Sequence, residues 1–380
     1  MDNIFYFYRD FYETQLKKHS HMVHSIDDYD WYNKVYEGLY KWAHVEHYRT
    51  DKVEVLHVVA MPRASCGKPI FGLDVVAING KITMVCADFT PTLDQYTVPH
   101  PFKNSREIPD WAHFFSPNLL LTTPTDENQA KEILEYFGTK LEEYLQAIEK
   151  DTSVREPNKV IEKQNYYIDN QRNNNKTFKA LATQIGESKA GKFIREVLFP
   201  TVKLNIQEKE IQKIFDFGKS IREQTKIKHT LAERTQLSYD LITGSISELH
   251  YKYYLQLYYN VFKIFKDTSK VSQELFPYLE KDYNAMNVQE LELTRQTQNY
   301  IKYLEKNPKN WKGHIYTLAL GFCYGGKMIA GKIDFPRSHL QDIPDRIAFE
   351  VRKETYGCDV ESVSESFNWI YKIYTEINTI

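Results

Sequence analysis

An imidazole and a carboxylate on adjacent predicted strands are the pair in this sequence best suited to proton chemistry. His57 lies in a valine-rich run over residues 53–61, and Asp74 lies in the next apolar run, over residues 69–78. Side chains that face each other across neighbouring strands can share one pocket. Such a pair can hold and transfer a proton, because each group shifts the pKa of the other. A structural hydrogen bond between the strands is the alternative.

The residues around this pair predict an antiparallel sheet flanked by helices. Asn79 and Gly80 separate two β-rich runs, which is typical of a tight hairpin. Thr125 is the predicted N-cap of a helix with apolar residues at helical spacing from 133 to 145, and another helix should follow Asn175. The predicted strands cover residues 53–61, 69–78, 81–89 and 118–123.

The second half of the chain is predicted to be helical. Ten of the fourteen prolines precede residue 203, and the later pattern is almost entirely that of helices. We therefore expect a multidomain chain. Residues 1–202 should form an α/β/α sandwich with a central antiparallel sheet, and residues 203–380 an all-α bundle. The predicted helices of that bundle lie near residues 206–230, 247–268, 287–306, 310–331 and 360–378.

Composition excludes several classes of partner and cofactor. The 49 basic and 51 acidic residues give a formal charge of −2, so no overall field attracts nucleic acid or an anionic membrane. No G-x-G-x-x-G sequence supports an NAD or flavin site of the Rossmann type. Four scattered cysteines predict neither zinc binding nor disulfides, and no signal peptide is evident. We therefore expect a cytoplasmic protein, and a plastid or a viral host stays an open alternative.

Several short motifs follow one another in the first 200 residues. They are His44-Val-Glu46, Leu56-His57-x-x-x-x-Pro62, Ile70-Phe71-Gly72-x-Asp74, Phe115-Ser116, Asn174-x-Lys176-Thr177 and Val197-Leu198-Phe199. Their order resembles that of the ferredoxin-dependent bilin reductases. The resemblance implies that biliverdin IXα lies between the sheet and the helices that follow it, and is reduced to a phycobilin of the phycocyanobilin or phycoerythrobilin type. It also implies that ferredoxin delivers electrons singly, that side chains supply protons, and that neither flavin nor metal takes part.

The same resemblance implies roles for individual residues. Asp74 matches the aspartate that protonates the bilin, His57 matches its partner, and Glu46 matches the carboxylate associated with reduction of the second vinyl group. Asn175 stands where the family usually has an aspartate, and an amide cannot deliver a proton. An arginine expected near Thr123 is absent, so the site of first reduction is not predicted. Substrate contacts are implied at Phe71, Ser116 and Lys176.

Two features of the helical half suggest a second tetrapyrrole site. His229 lies in a predicted helix that is polar on one side and apolar on the other, where a packed or surface histidine is the alternative to a metal ligand. Gly321, Gly325 and Gly326 share one predicted helix, and each glycine there costs about 1 kcal/mol relative to alanine. Either a close-packed helix crossing or a flat ring lying on the helix would require this bare backbone.

Together, the segments around His229 and the three glycines resemble the heme oxygenases, over about residues 205–378. The resemblance implies that His229 is the axial ligand of the heme iron, and that the glycine-rich helix covers heme as both substrate and cofactor. Residues implied to contact heme or its propionates are Arg222, Lys226, Tyr316, Gly321, Gly325 and Arg352.

Three apolar residues stand where that family places a polar network for activating dioxygen. Phe322, Leu318 and Phe262 match an aspartate, an arginine and a tyrosine respectively. Either backbone amides and waters near the glycines suffice, or the domain only binds heme. Three hypotheses follow: a fused two-step enzyme using ferredoxin, a bilin reductase with an inactive heme oxygenase-like domain, and a non-enzymatic carrier of heme or biliverdin.

Overall fold

The computed structural model describes residues 4–26, 28–94 and 96–380. The chain divides into two compact units, Met1–Gln212 and Lys213–Ile380, and the division falls within one long helix, Ile206–Glu233. Among the described residues, no helix is long and apolar enough to cross a lipid bilayer.

A seven-stranded antiparallel sheet forms the centre of the N-terminal unit, and its strands are neighbours in chain order. Asn79 and Gly80, with φ of 51° and 75°, form the predicted hairpin, because a two-residue turn of this type needs positive φ at both positions. The strands are β1 (Ser20–Ser25), β2 (Tyr32–Gly38), β3 (Tyr40–Arg49), β4 (Val53–Pro62), β5 (Ile70–Ile78), β6 (Lys81–Thr90) and β7 (Leu120–Thr122).

One face of the sheet packs against two helices, α1 (Ile4–Lys18) and α2 (Glu127–Lys150). Both helices bury apolar residues at three- and four-residue spacing, which gives each a continuous apolar stripe. The predicted N-cap of α2 at Thr125 is wrong. Asp126 is the cap, because its carboxylate accepts a hydrogen bond from the backbone N–H of Gln129 at 2.9 Å.

The other face, which we call the site face, is covered by helices that follow α2 in the chain. They are α3 (Pro157–Arg172), α4 (Asn175–Ile185), α5 (Glu187–Phe193) and a π-helical turn (Ile194–Leu198). Their apolar side chains pack with Trp42, Val59 and Met61 of the sheet in a second core. Two helical layers on a central antiparallel sheet confirm the predicted α/β/α sandwich.

The C-terminal unit is all-α in its described residues, as predicted. Helix α9 was not predicted, since Pro277 lies inside it and proline normally ends a helical pattern. The helices, of which the first begins in the N-terminal unit, are α6 (Ile206–Glu233), α7 (Gln236–Thr243), α8 (Glu248–Phe265), α9 (Lys270–Ala285), α10 (Arg295–Lys306), α11 (Trp311–Ala330), α12 (Ser338–Gln341), α13 (Ile347–Glu354) and α14 (Val360–Ile377).

Candidate active site on the sheet

Four chemically active side chains form one row across the site face. Glu46 is paired with His57 across β3 and β4, His57 with Asp74 across β4 and β5, and Asp74 with Cys86 across β5 and β6. Residues directly opposite each other in a sheet project to the same side. The sheet register therefore brings together the three residues that the sequence singled out from separate strands.

His57 and Asp74 form a direct hydrogen bond, with 2.7 Å between Nδ1 and Oδ1. The imidazole is buried, whereas the Asp74 side chain is 39% exposed. Burial alone would lower the pKa of His57, but the charge and hydrogen bond of Asp74, followed by the charge of Glu46, raise it above its usual value. The raised pKa favours the protonated form of His57, while the Asp74 carboxyl group stays open to a ligand.

Glu46 is a second proton store on the same row. Burial of its carboxyl group raises the pKa to about 7, and the charge of His57 and a hydrogen bond from Trp31 oppose that rise. The Trp31 indole Nε1–H donates to Glu46 Oε1 at 2.8 Å, which fixes the carboxyl orientation. A carboxyl group whose pKa lies near the working pH is well suited to general acid catalysis.

Several buried polar atoms around this row have no hydrogen-bond partner among the described residues. They are both ring nitrogens of His44, Nε2 of His57 and Oδ1 of Asn33. His44 and Asn33 were not assigned roles from the sequence, although His44 lies two residues from Glu46 on the same strand and so shares its face. Leaving such atoms unpaired is costly, and a ligand rich in donors and acceptors would satisfy them.

Asp88 is a third carboxylate on this face, it is buried, and the sequence did not single it out. It accepts hydrogen bonds from the Thr90 hydroxyl at 2.6 Å and from the Ser116 backbone N–H at 2.9 Å, as well as from the Ser116 hydroxyl. Burial raises the pKa of Asp88, and the bonds from Ser116 and Thr90 oppose the rise. The predicted substrate contact Ser116 thus uses its hydroxyl to anchor its own loop to the sheet.

The predicted substrate contact at Phe71 is wrong. Phe71 is three residues from Asp74 on one strand, and successive side chains of a strand alternate between faces. Its ring is buried in the opposite core, where it stacks on Tyr12 with centroids 6.2 Å apart. The resemblance indicated the right segment, but the alternation of the strand excludes this residue from the site.

Asn175 and Lys176 lie in the first turn of α4 and are exposed. The Asn174 side chain accepts a hydrogen bond from the Lys176 backbone N–H at 3.1 Å and so caps this helix. Within the described part of the chain, no hydrogen bond joins Asn175 or Lys176 to the row on the sheet. Their predicted roles therefore stay predictions.

In the C-terminal unit, His229 is positioned near the end of α6 with its side chain 37% exposed. Its Nδ1 lies 3.2 Å from Glu233 Oε2, and the ring meets Phe367 edge-on at 5.1 Å. A carboxylate at Nδ1 leaves Nε2 as the nitrogen able to bind a metal. Arg222 and Lys226 precede His229 by seven and three residues, so they share its side of the helix, and both are exposed.

The glycines of α11 differ in their surroundings. A Cβ at Gly326 would lie 3.0 Å from the backbone oxygen of Leu340, so this glycine permits a close contact with α12. A Cβ at Gly321 would meet nothing within 4 Å, and one at Gly325 would meet only Ile329 Cδ1 at 3.9 Å. Gly321 and Gly325 therefore form a bare strip of backbone beneath open space, which could accept a flat ring.

The other predicted heme contacts have partners of their own. The Tyr316 hydroxyl donates to the Gly218 backbone oxygen at 3.1 Å. The Arg352 guanidinium donates to the Tyr324 hydroxyl, at 3.1 Å from Nη2, and lies over the Phe215 ring at 5.5 Å. Both side chains therefore hold helices of this unit together, and Arg352 would have to leave these partners to bind a propionate.

The three residues that replace the polar network of heme oxygenases are buried. Phe322 stacks against Phe262, with ring centroids 5.6 Å apart and planes 26° apart, and Leu318 lies in the same core. None of them carries a polar atom that could donate a proton. Phe322 directly follows Gly321 in α11, so the residue beside this glycine carries an apolar ring.

Comparison with known proteins identifies a family that the N-terminal sheet and its row of titratable side chains resemble. Residues 35–200 match the family model described as ferredoxin-dependent bilin reductase. The match confirms the resemblance predicted from the motifs, and this family consists of oxidoreductases.

Individual relatives agree with this class. Phycocyanobilin:ferredoxin oxidoreductase of Synechococcus elongatus is 28% identical over 184 residues, which cover 44% of this chain and 74% of that protein. The Prochlorococcus marinus protein of the same name is 32% identical over 163 residues, covering 39% of this chain and 65% of that protein.

Two solved structures are also similar to this chain. PcyX is 21% identical, with 52% of this chain and 99% of PcyX covered and a TM-score of 0.38. Heme oxygenase-1 of the cyanobacterium Synechocystis, in complex with heme, is 22% identical, with 43% of this chain and 92% of that chain covered and a TM-score of 0.35.

Proposed function

We propose that the N-terminal unit reduces biliverdin IXα to a phycobilin with electrons from ferredoxin. The observation that carries this proposal is the row Glu46–His57–Asp74, in which a 2.7 Å hydrogen bond joins His57 to a partly open Asp74 carboxyl group. Adding an electron to a conjugated tetrapyrrole makes it basic, so an adjacent acid drives each reduction forward. The family match over residues 35–200 supports the same reaction class.

Each residue of the row has a distinct task in this proposal. A two-electron reduction consumes two electrons from ferredoxin and two protons. Asp74 has the most exposed carboxyl group of the row, so it contacts the pigment and gives the first proton. His57 returns a proton to Asp74 through their hydrogen bond, and Glu46, with a pKa of about 7, supplies a further proton.

The test is anaerobic incubation of the purified chain with biliverdin, ferredoxin and a system that keeps ferredoxin reduced. Absorption spectra and chromatography should show a reduced bilin, and Asp74→Asn should abolish its formation. Glu54→Gln is the matched control, because Glu54 also pairs with a histidine, His47, at 2.9 Å, but on the opposite face of the sheet. Equal loss of activity in both variants, or none in Asp74→Asn, would contradict the proposal.

We also propose that the C-terminal unit binds heme. The bare backbone at Gly321 and Gly325 and the half-exposed imidazole of His229 fit a flat ring with a metal at its centre. His229 would hold the iron through Nε2, and bound heme would supply the capacity to activate dioxygen. Phe322 brings no proton donor to this surface.

This second proposal has two forms, which differ in whether the C-terminal unit also cleaves heme. In the fuller form, the C-terminal unit opens heme to biliverdin, and fusion to the reductase keeps the product at high local concentration. In the reduced form, a heme-binding unit without oxygenase activity accompanies a working reductase. The non-enzymatic carrier of heme or biliverdin predicts no turnover of either pigment.

Heme titration followed by absorption separates these possibilities. His229→Ala should remove the band of histidine-ligated heme, and His250→Ala, which changes a histidine of α8, should not. Gly321→Leu should also weaken binding, because its side chain would fill open space without disturbing the protein core. Incubation of the bound complex with oxygen and reduced ferredoxin then decides between the two forms: a bilin product supports the two-step enzyme.

A further inference from the structure

A tyrosine hydroxyl reaches the site face directly beside the Asp74 carboxyl group. Tyr167 of α3 is buried, and its Oη lies 3.2 Å from the position that a Cβ on residue 72 would occupy. Glycine at this position leaves room for the hydroxyl to approach the sheet. Asp74 follows Gly72 by two residues on the same strand and face, and Asp88 is directly opposite Gly72 on β6.

The proton of this hydroxyl is uncommitted. Tyr167 Oη accepts a hydrogen bond from Gln171 Nε2 at 2.9 Å, and no acceptor for its own proton occurs among residues 4–26, 28–94 and 96–380. Two buried tyrosines of the opposite core differ in this respect. Tyr12 donates to the Leu134 backbone oxygen at 2.7 Å, and Tyr144 to that of Pro69 at 2.5 Å. A buried donor without an acceptor is costly, which marks Tyr167 as unusual.

Asp74 offers the matching acceptor. Its Oδ1 is bonded to His57, and its Oδ2 has no hydrogen bond to any described residue. Residues two apart on a strand are roughly 6.6 Å apart, so the hydroxyl above Gly72 and the carboxyl group of Asp74 can meet after rotation of the Asp74 side chain. A free donor and a free acceptor therefore lie over neighbouring positions of one strand.

We propose that Tyr167 is a positioning residue that donates a hydrogen bond to Asp74 Oδ2 whenever that carboxyl group is ionised, including after Asp74 has protonated the pigment. The proposal rests on the reductase function proposed above. In that step the pigment has gained an electron from ferredoxin, the O–H bond of Asp74 breaks, and its proton forms a C–H bond on the pigment. Tyr167 keeps its own proton and stabilises the new carboxylate, as His57 does from the other oxygen.

Loss of the Tyr167 hydroxyl should weaken acid catalysis by Asp74. A carboxylate that loses a hydrogen-bond donor is less well stabilised, so each proton transfer from Asp74 to the pigment would become less favourable. The titratable groups that face Asp74 from the elements around it are Glu46 of β3, His57 of β4, Cys86 and Asp88 of β6, and Tyr167 of α3.

Tyr167→Phe tests this proposal, because it removes one oxygen and keeps the ring that packs against Phe114, Phe115 and Phe199. We expect kcat for biliverdin reduction to fall roughly tenfold, which is the usual scale for a hydrogen bond to a charged group, while KM changes less than about twofold.

Two further variants guard against a merely structural effect. Tyr144→Phe removes a phenol hydroxyl from the opposite core and should leave kcat unchanged. Gly72→Ala places a methyl group against the Tyr167 hydroxyl and should lower kcat in the wild-type background. In the Tyr167→Phe background the same change meets no hydroxyl, so its effect should be less than about twofold.

The outcome that overturns the proposal is a folded Tyr167→Phe protein with wild-type kcat. A raised KM with unchanged kcat would also overturn it, because Tyr167 would then contact the substrate instead of Asp74. NMR titration of the His57 imidazole in the ligand-free protein separates this proposal from the reductase function. Its pKa should rise further in Tyr167→Phe, since the unrelieved charge on Asp74 attracts the imidazolium more strongly, and it should do so even if biliverdin is not reduced.

Discussion

The two units each contain a histidine–aspartate pair with the same 2.7 Å contact, and the two pairs differ in almost everything else. In the N-terminal unit His57 meets Asp74, whose side chain is 39% exposed, and the pKa of His57 is raised. In the C-terminal unit His339 meets Asp282, and both side chains are 1% exposed. There burial lowers the pKa of His339, although its hydrogen bond to Asp282 and the Asp282 charge oppose the change.

The difference shows that surroundings, and not the pair itself, decide whether the pKa of the histidine rises or falls. Asp282 also accepts a hydrogen bond from the His339 backbone N–H at 2.9 Å, so its carboxylate links α9 to the start of α12. Burial tends to raise the pKa of Asp282, but its hydrogen bonds to His339 lower it below the usual value. Burial therefore disfavours the protonated form of His339 beside a fixed carboxylate, whereas Asp74 is partly exposed and pairs with His57, which in turn pairs with Glu46.

Exchange of each aspartate for asparagine should separate the two roles most strongly. Asp74→Asn should lower biliverdin reduction by at least about 100-fold, because it removes the general acid, and cost less than about 1 kcal/mol of stability since the side chain is partly exposed. Asp282→Asn should leave reduction nearly unchanged and cost about 3 kcal/mol, because a buried pair loses one partner. Rates and urea unfolding followed by circular dichroism measure both effects.

Glu46→Gln tests whether a second acid distinguishes the His57–Asp74 pair from the His339–Asp282 pair. We expect the first reduction to proceed and a partly reduced bilin to accumulate, with the later step slowed by about 10- to 100-fold. Because the pKa of Glu46 is about 7, the later step in the wild type should also slow as pH rises above that value. Chromatography of products over time checks both statements, and uniform slowing of all steps would exclude a specific role for Glu46.

The stability contributed by the two histidines should change with pH in opposite directions. Folding raises the pKa of His57, so its contribution is complete below the usual histidine value of 6.5 and is lost as pH rises through the raised value. Folding lowers the pKa of His339, so its contribution is complete above 6.5 and is lost as pH falls toward the lowered value.

His57→Gln should therefore destabilise the protein more at about pH 5.5 than at about pH 8.5, and His339→Gln should do the reverse. Glutamine keeps a hydrogen-bonding side chain and does not titrate, so it isolates the proton-linked part of the free energy. Urea unfolding at the two pH values gives the comparison. If both variants were destabilised more at the same pH, the two pairs would share one environment, and the difference in burial between them would have no effect.

Those parts of the fold with a local signal could be predicted from the sequence. Two residues, Asn79 and Gly80, determine the turn of the hairpin, so the strands on either side of it could also be predicted. The strands β1 to β3 were not predicted, because residues 20–49 carry mixed polar and aromatic side chains without a clear alternation. Helix α9 was hidden by Pro277, which the helix tolerates within its interior.

The candidate site was predictable to the extent that it lies in continuous motifs. His57 and Asp74 were placed on neighbouring strands, but the register that also aligns Glu46 depends on pairing over the whole sheet. Asp88 and Tyr167 carry no sequence signal of their own, since their places near Asp74 come from a cross-strand pairing and from helix packing over Gly72. Phe71 was misassigned because resemblance gives the segment and not the face.

The smallest predicted effect concerns two glycines of α11. Gly326 permits close packing against α12, whereas Gly321 lies under open space where a ligand could bind. Gly321→Ala should stabilise the unliganded protein by about 1 kcal/mol, because alanine is the better helix former and its Cβ meets nothing within 4 Å. Gly326→Ala should destabilise it, since the added Cβ lies 3.0 Å from the Leu340 backbone oxygen and must push α12 away. Thermal unfolding without heme gives both signs. If Gly321 makes room for a flat ligand, Gly321→Ala should also bind heme more weakly than the wild type. A gain in stability with unchanged heme affinity would show that this glycine is not needed for heme binding.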